Sequence, residues 1–80
     1  MTIQDLINAI EANFQEIKPG SVKADTNMHD LSIWNSFNML LILTVVKEEF
    51  GVTVLWQELK NMKTVDDLYN AIIQLKKNES

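Results

Sequence analysis

Eighty residues supply one domain with a thin core, and the absence of Cys rules out a disulfide framework, a thiolate metal site or a thiol nucleophile of the chain's own. Seven Lys, no Arg and eleven acids leave a net charge of −4, which argues against nucleic acid, because a phosphate backbone is held by clustered Lys and Arg. Any sulfur chemistry must therefore use a borrowed thiol, and basic protein partners suit the charge better.

In chain order, Met1-Thr2-Ile3-Gln4-Asp5 lacks the basic start and long apolar run of a signal peptide. No window approaches the roughly 20 apolar residues of a membrane span. The expectation is a cytoplasmic, monomeric, single domain over residues 1–80. Ile3, Leu6, Ile7, Ile10, Phe14 and Ile17 fall at steps of three and four, the spacing of one helix face. Thr2 with Asp5 reads as a capping box at its start, and Lys18-Pro19-Gly20 reads as its stop. Residues 21–34 are mostly small and polar, with Val22, Met28, Leu31 and Ile33 at no clean period. They read as a long loop pinned to the core by a few side chains, a length at which loops are often functional.

A second helix is expected from Ser36 to Phe50, stopped by Gly51. Projected at about 100° per residue, its core face is Met39, Leu43, Val46 and Phe50, with Leu40 and Ile42 flanking. Phe37, Leu41 and Val45 form a second apolar stripe leading to Glu48. Either the long loop covers that stripe or a protein partner does. Val52-Thr53-Val54 reads as a linker, residues 55–62 as a short helix opened by Trp56 and carrying Leu59 and Met62 inward. Thr64 and Asp67 form a second capping box before a last helix lined by Val65, Leu68, Tyr69, Ile72 and Leu75. Lys76 and Lys77 suit the negative end of its dipole, and residues 76–80 are expected to fray.

A Ser at a helix start is ordinarily the capping residue. The position also suits a phosphate ester, since unpaired N–H groups and the positive end of the dipole face it. Asn35 can cap equally well, which would leave Ser36 available for modification. Other chemistry is poorly supplied. Asp25-x-Asn27-x-His29 begins like a calcium loop, but Asp30 stands where Gly is needed and Ser36 where a bidentate Glu is required. His29 is the sole His, which leaves no zinc site or Ser-His-Asp triad to argue. It reads as a solvent-facing loop residue, and both Trp34 and Trp56 read as packing residues near the proposed surface.

Read as a whole, the chain resembles the acyl carrier protein family over nearly its full length. Asn35-Ser36-Phe37 resembles the family's Asp-Ser-Leu attachment signature. Lys47-Glu48-Glu49-Phe50-Gly51-Val52 resembles its Glu-Glu-Glu-Phe-Gly-Ile helix ending, with Phe50 fourteen residues after Ser36, and Thr64-Val65 opens the last helix in the expected place. Asp30-Leu31 followed by Ile33-Trp34 resembles an Asp-Leu-x-x-Trp-Asp-Ser-Leu variant of carriers outside housekeeping fatty-acid synthesis. The resemblance implies an all-α, acyl-carrier-like four-helix bundle of three longer helices and one short, with a long loop between the first two. It implies no enzymatic activity. A separate phosphopantetheinyl transferase would attach 4′-phosphopantetheine from coenzyme A to Ser36. The arm's thioester would carry acyl or aminoacyl groups from an activating ligase to a downstream transferase or synthase.

Two departures shape that expectation. Asn35 replaces the usual Asp, removing a charge that would meet the transferase. Residues 31–63 are net neutral, with Glu48, Glu49 and Glu58 against Lys47, Lys60 and Lys63. Recognition by apolar contact is then favoured over broad steering, through Phe37, Asn38, Leu41 and Val45, with Trp34, Asn35, Glu48 and Trp56 nearby. The alternative is an unmodified, carrier-like helical interaction module.

Overall fold

The computed structural model describes residues 1–79 as four α-helices, with no strand among them: α1 (Ile3–Asn13), α2 (Ser36–Phe50), α3 (Trp56–Asn61) and α4 (Val65–Glu79). Contacts join α1 to α2, α2 to α3 and α1 to α4 around one core. Leu6, Ile10, Met28, Ile33, Val46, Leu59, Leu68 and Ile72 are nearly fully buried, so every helix and the long loop contribute to the same interior. No helix among the described residues is long and apolar enough to cross a membrane.

Both expected capping boxes form. Thr2 N–H donates to Asp5 Oδ2 (2.8 Å) while Asp5 N–H donates to Thr2 Oγ1 (3.2 Å). At α4, Thr64 N–H donates to Asp67 Oδ2 and Asp67 N–H returns to Thr64 Oγ1, each at 3.1 Å. The Asp67 carboxylate also accepts from Lys63 N–H (3.1 Å). The backbone donors of Thr64 and then Lys63 hold its pKa below the ordinary aspartate value.

The first helix is shorter than its apolar spacing suggests. It ends at Asn13, and Phe14 turns to extended backbone, φ −132° and ψ 103°, well before Lys18-Pro19-Gly20. Asn13 is a weak helix former, and its side chain donates back to the Ala9 carbonyl (2.7 Å). Phe14 and Ile17 still reach the core from the turn that follows. The last helix runs through Glu79, and Ser80, the end of the tail expected to fray, lies outside the described residues.

The loop over residues 21–34 contains more order than its composition suggests. Met28–Asp30 forms a short 3-10 turn capped by Asn27, whose Oδ1 accepts from His29 N–H (2.9 Å). The loop is laced to the α3–α4 link by Met28 N–H to the Lys63 carbonyl (2.7 Å), Val65 N–H to Thr26 (3.2 Å) and Asp66 N–H to Ala24 (2.9 Å). Val22, Met28 and Ile33 anchor it from beneath, as expected, with Leu31 half-buried. Val52 and Val54 are likewise buried while Thr53 is exposed, so the linker between α2 and α3 alternates like a strand without pairing as one.

Candidate functional site: the start of helix α2

Asn35, not Ser36, caps α2. Its backbone is extended, φ −153° and ψ 169°, and its Oδ1 accepts from Asn38 N–H (2.9 Å) while its carbonyl accepts from Met39 N–H (2.9 Å). Ser36 is therefore the first helical residue, exposed, and its hydroxyl has no hydrogen-bond partner among the described residues. The Ser36 and Phe37 N–H groups likewise have none there, as the first-turn geometry of any helix dictates. No acid lies in the first turn of α2 to offset the positive end of its dipole, and Gly51 at φ 74° closes the other end.

The segment leading into Ser36 is held firmly. Trp34 N–H donates to the Leu31 carbonyl (3.0 Å), and Asn38 Nδ2 donates to the Ile33 carbonyl (2.7 Å). Trp34 is half-buried against the core, and the His29 ring stacks on it with centroids 4.6 Å apart and planes 21° from parallel. His29 Nε2 donates to the Met62 carbonyl (2.8 Å), a bond that places the ring proton on Nε2 because a carbonyl only accepts. The turn before the candidate serine is thus tied to the link between α3 and α4.

The outer face of α2 differs in part from its projection. Phe37 is 71 % exposed and Leu41 39 %, so the long loop leaves this stripe open. Val45, expected to continue the stripe, is only 8 % exposed. Steps of four advance by about 40° each, so the third position has rotated toward the faces covered by α1 and α3, next to the buried Ile42. Leu40, expected to flank the core, is 54 % exposed, because at about 100° per residue it lies about 120° from Val46, the centre of the buried arc. Leu43 is half-buried rather than central for the same reason, and Ile42 takes its place in the core.

The structure therefore gathers Ser36, Phe37, Leu40 and Leu41 at one end of α2, with Glu48 exposed farther along the same side. Asn38 is half-buried and its amide is committed to the loop, so it supports the site instead of facing a partner. Trp56 is half-buried against the core at the start of α3.

No protein-family model matches the chain, and no curated protein does.

Two members of the site were not singled out by sequence reasoning. Leu40 was recoverable from its helical angle once Val46 is taken as the core centre. The His29 clamp was not, because its partner Met62 is 33 residues away and is brought close only by the folded loop. Among the described residues no group of His, Cys, Asp or Glu is placed to hold a metal ion.

Chemically, the arrangement offers a primary hydroxyl in solvent, free backbone donors beside it and an open apolar surface one turn away. A hydroxyl with no neighbouring general base is not an activated nucleophile, and among the described residues none hydrogen-bonds to the Ser36 hydroxyl.

Proposed function

We propose that this chain is a carrier of the acyl carrier protein kind, with the four-helix arrangement of that family and 4′-phosphopantetheine on Ser36. The observation that carries the reading is the capping role of Asn35, which leaves the Ser36 hydroxyl exposed and unengaged at the start of a 15-residue helix. A phosphodiester at this oxygen would sit beside the free N–H groups of Ser36 and Phe37 and the positive end of the dipole, so the residues present fit such a group. The transferase would have Ser36 Oγ attack the pyrophosphate of coenzyme A, breaking its P–O–P bridge and releasing the adenosine bisphosphate, with the hydroxyl proton passing to a base of the transferase. The attached arm supplies the thiol that this Cys-free chain lacks.

This chain's own residues present and are recognised. Phe37, Leu40 and Leu41 form an apolar surface one turn from Ser36, suited to the transferase, to a ligase that loads acyl or aminoacyl groups, and to the enzyme that consumes them. The carrier catalyses nothing. Cargo for polymer or wall modification, a secondary-metabolite line or a specialised lipid route all fit this presentation, with the chain acting in the cytoplasm as a monomer.

Intact mass after incubation with coenzyme A and a promiscuous phosphopantetheinyl transferase tests the reading, with Ser36→Ala as control. A gain of one arm in the wild type alone supports it. A second reading draws on the exposure of Phe37, Leu40 and Leu41: an unmodified helical module that binds a protein through that face. No mass gain, together with partner binding lost in Leu41→Glu, would favour it.

A further inference from the structure

The geometry points to His29 as a positioning residue for Ser36, acting through Trp34. The role rests on the carrier reading. Three backbone bonds already join residues 24–28 to the 63–66 segment, and none of them reaches the turn before α2. Among the hydrogen bonds and ring contacts of the described residues, those of His29 make that connection: Nε2 is fixed to the Met62 carbonyl at 2.8 Å, and the ring stacks on Trp34 with centroids 4.6 Å apart. Trp34 is followed directly by the capping Asn35 and then Ser36, and its own N–H closes the Leu31–Trp34 turn at 3.0 Å.

Removing the imidazole leaves the core, the capping boxes and the backbone lacing in place. It frees the turn that sets where Asn35 begins the helix, and so the direction in which the Ser36 hydroxyl is offered. The stack and the hydrogen bond are at an exposed site, where each contributes modestly. The expected consequence is more frequent local opening at Trp34 and Asn38, without global unfolding. A chain whose turn is open presents Ser36 poorly, so the apparent affinity for a modifying enzyme falls with the fraction of competent chains.

The test compares wild type, His29→Ala and His29→Phe by amide hydrogen exchange and by steady-state transfer from coenzyme A with a promiscuous phosphopantetheinyl transferase. In His29→Ala, exchange at the Trp34 and Asn38 amides should accelerate roughly fivefold, the equivalent of losing one modest contact. kcat/KM for modification should fall, carried by KM, in proportion to the loss of competent chains, about twofold where the freed turn is open in about half of them. His29→Phe keeps a ring on Trp34 and should recover part of both effects, which a general loss of stability would not produce. Unchanged exchange at Trp34 in His29→Ala, or unchanged kcat/KM despite faster exchange, would overturn the role of His29 while leaving the carrier reading intact. A wild type that accepts no arm would overturn the carrier reading, and this role with it.

Discussion

Replacing Asn35 and Ser36 separately with Ala distinguishes a capping residue from a modifiable one. The Asn35 side chain accepts the Asn38 N–H at 2.9 Å, whereas the Ser36 hydroxyl has no such bond. Loss of a side-chain cap costs about 1 kcal/mol, within a range of roughly 0.5–2. Met39 N–H keeps its bond to the Asn35 carbonyl, so the helix persists and the loss is confined to one donor left to water. In a domain of this size about 1 kcal/mol lowers Tm by roughly 4–8 °C. Ser36→Ala sits at an exposed first helical position and should stay within about 0.5 kcal/mol of wild type. Urea titrations followed by far-UV circular dichroism, with thermal melts in parallel, measure both. Equal destabilisation by the two substitutions, or a larger loss for Ser36→Ala, would refute the assignment of the cap to Asn35 and of a free hydroxyl to Ser36.

Leu41→Glu should preserve the melting profile and weaken partner loading, whereas Val45→Glu, four residues on but buried, should cost several kcal/mol by burying an unpaired charge; comparable melts for the two would contradict the exposure of this face. Asp67→Asn should flatten the acid limb of the stability curve. The depressed folded pKa of Asp67 gives a contribution that is present above the ordinary aspartate value and lost as pH falls through the folded one, so parallel acid limbs in variant and wild type would exclude it. Gly51→Ala should cost about 1 kcal/mol from backbone strain alone, since φ is 74° and an added Cβ meets only Lys76 Nζ, at 4.0 Å; a neutral result in urea would refute strain at this cap.

Much of the fold was legible because it rests on local signals. The two capping boxes, Gly51 and the helical spacing in α2 and α4 act within a few residues, and each element they predict is present. The early end of α1 was not legible, because Phe14 and Ile17 satisfy helical spacing equally well from an extended turn, and only the packed structure decides between the two. At the site, residue type at a helix start left Ser36 and Asn35 as alternative caps, and only the folded geometry assigns the cap to Asn35. The burial of Val45 and exposure of Leu40 required knowing which arc α1 and α3 cover, and the His29 clamp required the path of the loop over the α3–α4 link. Contacts between distant segments leave no periodic trace in the chain.

The carrier proposed above holds its arm on Ser36. Its most direct test is the intact mass of the protein recovered from the cells that make it, followed by fragmentation to locate any added group. The expected result is an added phosphopantetheine on the peptide containing Ser36, absent from Ser36→Ala. An unmodified mass from cells with an active phosphopantetheinyl transferase, or an arm on any other residue, would contradict it.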